Sequence, residues 1–413
     1  MQPHKMHFSR RWIVLLPVIF VTYSLAYLDR ANFGFGAAAG MASDLKISSG
    51  QSSLLGALFF LGYFLFQIPG TAYAQTHSVK RLIFCGLMGW GVLAGATGLI
   101  ANIHLLYVDR FLLGVVESAV LPSLMILLAR WFTRPERARV NAILCLGNPV
   151  TMLWMSVLSG YLAANLGWRM MFVIEGLPAL IWAFVWLKLV SDRPAEAAWI
   201  APDERRSLEA RLAEEQQRIA PVADFKAALG LPRVIALALQ YMFWSYGVYG
   251  FVIWLPSILK MREMGMVELG WLSATPYLAA IIAELLLSTW SDRKGRRTVA
   301  VWPCLILASA AFYGSYLLGA DHFWVSLILL IVAAAAMYAP YGPFFAYIAE
   351  TLPANVSGGA IALINSMGGL GGFIATYSIG MLNGLTGSPS ASYVTMAAAL
   401  AAAAAITFFL PEK

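Results

Sequence analysis

Charged residues are scarce in this 413-residue chain: they make up 12% of it, whereas hydrophobic residues make up 60%, and the mean hydropathy is +0.72. In soluble domains about one quarter of the residues are charged. A water-soluble globule of this composition would expose more apolar surface than water tolerates. The balance argues against a soluble enzyme, a disordered protein and a nucleic-acid-binding protein, although the formal net charge is +7.

Cysteine is also rare. Cys85, Cys145 and Cys304 are too few and too scattered for a disulfide framework or a metal cluster. The sequence contains no HExxH zinc motif, no phosphate-binding P-loop, and no GxGxxG at a strand–helix turn. We therefore expect no metal, no cofactor and no enzymatic activity.

Long apolar runs are what the chain does have. A helix that crosses a membrane needs about 20 mostly apolar residues, and helices satisfy their own backbone groups in lipid. Twelve runs reach that length. They cover roughly residues 12–32, 52–74, 82–101, 105–130, 140–164, 170–190, 234–256, 269–290, 298–319, 323–348, 358–382 and 391–410. The predicted fold class is an all-α membrane protein with twelve transmembrane helices.

One polar stretch, residues 191–233, divides the runs into six and six. We predict an N-terminal bundle over 1–190, a cytoplasmic linker over 191–233 and a C-terminal bundle over 234–413. Leu208 and Leu212 are spaced for a short amphipathic helix in the linker. Most of the 28 Lys and Arg residues fall in segments on one side of the predicted membrane. Because positive residues stay cytoplasmic, both termini are predicted to lie inside.

Ionisable residues inside the first run are the first functional candidates, because burying a charge in the bilayer costs at least about 2.5–3.5 kcal/mol. Asp29 and Arg30 lie there. Tyr23, Tyr27 and Arg30 are spaced to share one helix face. That face offers a guanidinium and two phenols, which suits an oxygen-rich anion. The alternative is an ion pair at the outer interface.

The fourth run contains a second pair. Arg110 and Glu117 are seven residues apart, which places them on one face about 10 Å apart along the helix. Gly114 between them allows close approach of another helix or of a solute. The alternative is a structural pair with neighbouring helices.

Two further acids lie in apolar runs. Glu284 lies about 12 Å in from the loop that begins near Asp292. It is a candidate for an additional proton site, for a partner of a basic group, or for a carboxyl that stays protonated. Glu175 lies near the outer end of the sixth run, where we expect it to form a structural pair with Arg169.

Helix-breaking and amide residues mark three other runs. Gly147-Asn148-Pro149 interrupts the fifth run, and the Tyr338–Pro343 segment interrupts the tenth. Asn365 begins a glycine-rich stretch in the eleventh. Interrupted helices at mid-membrane often line solute sites in transporters, although small residues also serve helix packing. Buried amides need partners, and a hydroxylated solute would supply them.

Several motifs together resemble a known family. The segment STWSDRKGRR at 288–297 resembles the loop signature of the major facilitator superfamily, with serine in place of the first glycine. LDRANFGF at 28–35, FQIPG at 66–70, RFLLGVVE at 110–117 and WFTRPERA at 131–138 resemble its anion:cation symporter family. Relatives in that family carry galactonate and other sugar acids, tartrate, phthalate or hydroxyphenylacetate.

The resemblance implies a fold and a set of roles. The two bundles would be pseudo-symmetric and would expose one central site alternately to each side. Arg30 would pair with the substrate carboxylate, Asp29 and Glu117 would take and release protons, and Arg110 would tune Glu117 or the anion path. The implied contacts to substrate hydroxyls are Tyr63, Asn148 and Asn365. The implied cytoplasmic gate is Asp292, Arg293 and Arg296; the corresponding first-half loop over 74–81 lacks the Asp-Arg pair.

These observations predict a proton-coupled symporter of a small organic anion, a sugar acid such as galactonate being favoured. The membrane potential opposes the entry of a lone anion by about 2.3 kcal/mol per charge per 100 mV, and co-transported protons remove that penalty. We expect a monomer in the inner (plasma) membrane of a bacterium, with no nucleic-acid partner. The alternatives are a carrier of another carboxylate and an exporter of neutral solutes or drugs, which the same fold can serve.

Overall fold

The computed structural model describes residues 10–217, 230–260, 264–319, 321–352, 354–388 and 390–412. Of the predicted linker over 191–233, residues 218–229 lie outside the described residues. The helices, numbered here in chain order, are α1 Arg10–Ala38, α2 Met41–Asp44, α3 Ser49–Thr76, α4 Val79–Leu99, α5 Ile103–Glu117, α6 Val120–Trp131, α7 Arg134–Cys145, α8 Gly147–Leu189, α9 Pro202–Gln217, α10 Pro232–Lys260, α11 Met266–Lys294, α12 Thr298–Leu318, α13 Phe323–Tyr338, α14 Tyr341–Thr351, α15 Ala354–Thr386 and α16 Ser390–Phe408.

The predicted apolar runs are helical. Ten helical stretches in the described part of the chain are long and apolar enough to cross a membrane, and Ser392–Phe408 is a shorter apolar helix. One of the ten, Arg139–Leu189, has 51 residues and contains both the fifth and the sixth run. Within it Gly167 has a φ of 78°, which favours glycine because other residues clash there. The chain thus leaves helical geometry where the sequence predicts a boundary between two runs.

Three apolar runs contain a break in the helix. The breaks between α7 and α8, just before Asn148, and between α13 and α14, beside Pro340, are those that the sequence predicts. The break after Glu117, between α5 and α6, is not predicted, although Pro122 in the first turn of α6 explains it: proline has no N–H for the Ser118 carbonyl and its ring clashes with that carbonyl. It places Glu117 at the end of a helix in the middle of the bundle.

Side-chain exposure is inverted relative to a soluble protein. Large apolar side chains face outward, with Leu99 72% and Leu286 68% exposed, whereas Arg110 and Glu117 are 1% and 0% exposed. Such a surface is stable only against lipid, since monomeric soluble proteins do not expose apolar surface on this scale. The protein is therefore a multi-pass membrane protein.

Helices of the first half (Arg10–Leu189) meet helices of the second half (Pro232–Phe408) along the middle of the molecule. α3 packs against α15, α8 against α11, and α1 against α10. The terminal face is the end of the bundle where α1 begins and where Tyr347 donates a hydrogen bond to Pro411. At the opposite face glycines bring the halves into contact. A Cβ on Gly160 would lie 2.6 Å from the carbonyl oxygen of Met266, and one on Gly34 2.6 Å from that of Ile253.

Gly114 holds α5 against α3 beneath the buried charges, and its replacement gives a stability prediction. A Cβ there would lie 1.9 Å from the backbone oxygen of Phe59, so Gly114→Ala must push the two helices apart. Overpacking of this kind costs about 1–3 kcal/mol. We expect a melting temperature lower by roughly 1–4 °C in detergent. Gly95→Ala is the control, since its Cβ would lie 4.0 Å from its nearest neighbour, the oxygen of Val173; equal melting temperatures for the two variants would contradict the argument.

Candidate functional site

Arg30 is the centre of the buried polar site. The residue is 3% exposed, and its Nε lies 3.4 Å from Oε2 of Glu117, which is fully buried. Its Nη1 donates a hydrogen bond of 3.2 Å to the hydroxyl of Tyr249, on the other half of the chain. Its Nη2 has no hydrogen-bond partner in the described part of the chain. Arg30 therefore joins the two halves and keeps donor capacity for a further acceptor.

Aromatic rings surround the Arg30 guanidinium. Its Cζ lies 4.5 Å from the ring centre of Tyr63, 5.3 Å from that of Tyr27 and 5.8 Å from that of Phe59. Rings at these distances attract a cation through their quadrupoles without neutralising its charge. The arrangement confirms the predicted shared face of Tyr27 and Arg30, and it fixes the guanidinium while leaving it able to bind an anion.

Arg110 contacts the Phe59 ring, as Arg30 does. Its Cζ is 5.4 Å from the Phe59 ring centre and 5.1 Å from that of Phe33, and its Nε has no hydrogen-bond partner in the described residues. The nearby carboxyls that act on it most strongly are Asp109 and Asp29. Phe59 is thus a ring that both guanidinium groups contact, whereas Arg110 does not contact Tyr27 or Tyr63 among the described cation–ring contacts.

One of the central ion pairs is formed across helices, between Glu117 and Arg30. Asp29 accepts a 3.2 Å hydrogen bond from Asn32 on its own helix. Glu117 has one oxygen, Oε1, without a hydrogen-bond partner in the described part of the chain. Glu117 therefore has a guanidinium partner but is incompletely satisfied. This is the condition under which a competing anion or a proton can change its partner.

The two predicted amides are buried on different halves. Asn148, at the start of α8, is 7% exposed, and its Oδ1 has no partner in the described residues. Asn365, in α15, is 5% exposed, and its Nδ2 has none there. Neither amide hydrogen-bonds to Arg30 among the described contacts. A solute hydroxyl group could donate a hydrogen bond to Oδ1 of Asn148 or accept one from Nδ2 of Asn365.

Glu284 lies on a different helix from the Arg30–Glu117 ion pair. It is 3% exposed on α11, and its Oε2 has no partner in the described part of the chain. It lies close enough to Cys145, at the end of α7, to act on it electrostatically. Glu284 therefore lies where α11 meets the first half. Its titration stays a prediction.

The predicted pairing of Glu175 with Arg169 is wrong. Arg169 is half-exposed at the opposite face and pairs with Asp44 at 3.2 Å. Glu175 is 4% exposed in the bundle, where the Ser159 hydroxyl donates to its Oε1 at 2.5 Å. The pairing fails because six residues are about one and two-thirds helical turns, so Arg169 and Glu175 lie on different faces of one helix.

The loop signature forms an ion-pair cluster around a residue that the prediction omitted. Asp292 pairs with Arg297 at 2.6 Å, and Arg297 pairs with Glu350 at 2.7 Å. Burial lowers the pKa of Arg297, but the hydrogen bonds to Glu350 and Asp292 outweigh it and leave the pKa raised. Arg293 and Arg296 are exposed. Asp292 is therefore part of a cluster that ties α11, α12 and α14 together, with Arg297 as its cation.

The first half has a similar polar cluster, but its carboxylate comes from a different segment. The loop before α4 contains no acid, and Asp192, just after α8, supplies the carboxylate. The Ser78 hydroxyl and the Lys80 backbone N–H, the latter at 3.0 Å, both donate to Asp192, and Arg130 lies 3.6 Å away. A carboxylate at a helix N-terminus is favoured by the helix dipole. The prediction missed it because the carboxylate lies more than 110 residues from the loop.

Tyr249 is the other residue that sequence reasoning missed. The only signal was its place among the aromatic residues of the seventh run. Because Tyr249 holds Nη1 of Arg30, Tyr249→Phe should weaken anion binding about tenfold, as expected for a lost hydrogen bond to a charged group. Tyr246→Phe is the matched control: Tyr246 is one turn away, and its hydroxyl is 2.9 Å from that of Ser378. Equal affinities of the two variants, by isothermal titration, would remove Tyr249 from the site.

A bundle of membrane-length helices that buries guanidinium and carboxyl groups between two halves is typical of a membrane carrier. The family model of the Major Facilitator Superfamily matches residues 19–376 and, in a second match, 262–413. The chain belongs to the Major Facilitator Superfamily, and it is a membrane transporter, not an enzyme.

Curated relatives match along the whole chain. A protein of Agrobacterium vitis named "Putative tartrate transporter" is 34% identical over 97% of this chain and 90% of its own length. The quinolone resistance transporter of Acinetobacter baumannii is 30% identical over 97% of this chain and 93% of its own. The hexuronate transporter of Bacillus subtilis is 24% identical over 89% of this chain and 84% of its own.

A solved structure shares the fold. The crystal structure of a bacterial homologue of the human lysosomal transporter Spinster, in an inward-facing and occupied conformation, superposes with a TM-score of 0.71. It is 17% identical, and the match covers 97% of this chain and 96% of that one. This likeness shows the fold alone.

Proposed function

We propose that the protein is a proton-coupled symporter of a small organic anion and belongs to the anion:cation symporters within its superfamily. The observation that carries the proposal is the Arg30–Glu117 pair, buried between the halves with free polar atoms on both partners. An anion that binds Arg30 competes with Glu117 for the guanidinium. The released carboxyl then binds a proton, because an uncompensated buried charge is costly. Anion and proton binding thus favour each other.

The favoured substrate class is a sugar monocarboxylate such as an aldonate or a hexuronate. Arg30 can bind one carboxylate, and Asn148 and Asn365 can bind hydroxyl groups from either half. A dicarboxylate such as tartrate would benefit from a second guanidinium at the same site; Arg110 shares the Phe59 ring with Arg30, but among the described cation–ring contacts it reaches neither Tyr27 nor Tyr63. The hexuronate relative is in keeping with this choice, and the tartrate relative makes tartrate the second candidate.

The chain would cross the membrane twelve times, with both termini cytoplasmic, as two bundles joined by the linker. Twelve crossings follow if Arg139–Leu189 spans twice around Gly167 and if Ser392–Phe408 spans once. In this orientation the glycine contacts at Gly160 and Gly34 close the outer side. The buried site would then open inward when α3 and α15 separate at the terminal face, and the Asp292–Arg297 cluster would act at that face as part of the gate.

A thermal-shift panel on the purified protein tests the substrate class. Because a bound ligand at 100 times its Kd stabilises by about 2.7 kcal/mol, the substrate should stand out. We expect stabilisation by galactonate or glucuronate and none by galactitol, which has the hydroxyls without the carboxylate. Stabilisation by tartrate alone would move the assignment to hydroxydicarboxylates. A quinolone is included because of the quinolone resistance relative. Quinolones carry a carboxylate, so stabilisation by a quinolone alone would move the assignment from sugar acids to aromatic acids. Stabilisation by galactitol equal to that by the acids would contradict the anion site.

A further inference from the structure

An apolar groove of about 520 Å³ lies on the surface of the second half, between α11, α12 and α13. Of the side chains that line it, the larger include Leu286, Leu287, Trp290 and Leu307, and the smaller include Ala335 and Ala336. Leu286 and Leu307 are 68% and 51% exposed, so the groove opens towards lipid. It forms where the short side chains of the alanine run at 333–336 leave space beside the leucines of α11.

The groove lies in the part of the bundle next to the terminal face. Its α11 residues extend from Ala283 to Trp290, and α11 ends at Lys294. That end is at the terminal face, because Thr298, just after the loop, donates to Glu412 near the C-terminus at 2.7 Å. At 1.5 Å per residue the groove covers about 6–17 Å from the end of α11. The hydrocarbon layer of one leaflet is about 15 Å deep, so an acyl chain of that leaflet can fill the groove.

Three cations lie beyond the groove at the same face. Arg293, Lys294 and Arg296 are exposed, and within the described part of the chain none of them pairs with an acid. Arg293 and Lys294 follow Trp290 by three and four residues, so both lie one turn beyond it on the same side of α11. Arg297, by contrast, is neutralised by the ion-pair cluster described above. Unpaired positive charge therefore lies at the mouth of an apolar groove.

We propose that the groove binds an anionic glycerophospholipid such as phosphatidylglycerol, with one acyl chain along α11 and the phosphate at Arg293 and Lys294. Basic pockets between transmembrane helices bind anionic lipid headgroups in this way. A zwitterionic lipid offers the same chain, but the cation of its own headgroup offsets the attraction of its phosphate. A free phosphate ester reaches the cations but gains nothing from the groove. The lipid site is separate from Arg30, and it holds whichever solute the protein carries.

Native mass spectrometry of the purified full-length protein in detergent tests the headgroup. The protein is titrated with dioleoyl phosphatidylglycerol and with dioleoyl phosphatidylcholine, and the ratio of the two Kd values for the first bound lipid is measured. We expect wild type to favour phosphatidylglycerol at least tenfold. The variant carrying Arg293→Gln and Lys294→Gln should lose at least about tenfold of that preference, because each basic residue near the surface contributes about fivefold. Both positions are exposed, so the fold should be retained.

The matched control removes the same charge from the corresponding loop of the first half. Lys80→Gln and Arg81→Gln together should leave the lipid preference as in wild type, since neither residue lines the groove. An equal loss in both double variants would show a general attraction to positive surface and would overturn the proposal. Equal affinity of wild type for the two lipids, or a preference that survives Arg293→Gln with Lys294→Gln, would also overturn it.

A second variant tests the acyl chain. Ala335→Phe fills the groove, so it should weaken the binding of both lipids at least fivefold. Ile328→Phe is the control on the same helix, because Ile328 is 57% exposed and does not line the groove. Equal lipid affinities in the two variants would overturn the proposal, as would displacement of phosphatidylglycerol by glycerol phosphate, which has no chain. If Ala335→Phe fails to fold, the exposed glutamine variant and glycerol phosphate still decide the outcome.

Discussion

Arg30→Ala should reduce anion affinity by about 100-fold or more, the cost expected when one partner of a buried, hydrogen-bonded charge pair is truncated. The Arg30 guanidinium lies between the halves, and its Nη2 has no hydrogen-bond partner in the described residues. The rings around it do not neutralise its charge, and Glu117 is the carboxylate that pairs with it. No other described cation contacts Tyr63 or Tyr27. Affinity is measured by isothermal titration with the substrate that the thermal-shift panel selects.

Two variants separate the loss of binding from the loss of folding. Arg30→Lys keeps the charge but not the fork of donors, and it should bind the anion with an affinity between those of wild type and Arg30→Ala. Arg169→Gln is the matched control, since Arg169 lies in the same half but pairs with Asp44 at the half-exposed opposite face. It should bind normally, because exposed ion pairs contribute little. Unchanged affinity in a folded Arg30→Ala would place the anion elsewhere.

Neutralising both central carboxyls should uncouple transport from the proton gradient. In the variant carrying Asp29→Asn and Glu117→Gln, neither group can change its charge when the anion takes over Arg30. Counterflow of the anion should continue. Accumulation against a gradient should fall at least tenfold, as expected when the roughly 1.4 kcal/mol that each unit of pH gradient contributes is no longer coupled.

The control for this variant is Asp44→Asn, which removes a carboxyl in the same half at an exposed position. It should accumulate the anion as wild type does. Each single replacement is expected to be weaker in effect than the double one, because Asp29 and Glu117 act on each other electrostatically. Proton-driven accumulation that survives the double replacement would contradict the proposed roles of both residues.

Much of this site could be predicted because charges in lipid are costly wherever they lie along a helix. That argument identified Asp29, Arg30, Arg110 and Glu117 from the apolar runs that contain them. Periodicity then placed Tyr27 on the same face as Arg30, and the structure has the ring 5.3 Å from the guanidinium. Proline and glycine likewise marked the helix breaks beside Asn148 and Pro340.

The sequence does not show which side chains on different helices pair with each other. The spacing of Arg110 and Glu117 suggested a pair within one helix, but Phe59 from another helix lies beside Arg110, and Glu117 pairs with Arg30. Tyr249 reaches Arg30 from more than 200 residues away. Contacts of this kind depend on how helices pack, and helical spacing gives only the face that each helix presents.

The break after Glu117 has a local cause that the sequence analysis overlooked. Pro122 lies in the first turn of α6, and proline neither donates to the carbonyl four residues earlier, that of Ser118, nor leaves room for it. The Ser118 backbone N–H bonds to the Val115 oxygen, a tighter turn than the α-helix makes. The position of Glu117 at a helix end could therefore have been predicted from Pro122.

The central claim is that an organic anion and protons cross the membrane together through the site around Arg30. It is tested most directly in proteoliposomes that contain the wild-type protein and an internal pH dye. The candidate acid, labelled with ¹⁴C, is added outside at a clamped membrane potential, and both signals are followed. The account predicts internal acidification that starts with anion uptake, scales with it and is absent in Arg30→Ala. Anion uptake without any change of internal pH would contradict it.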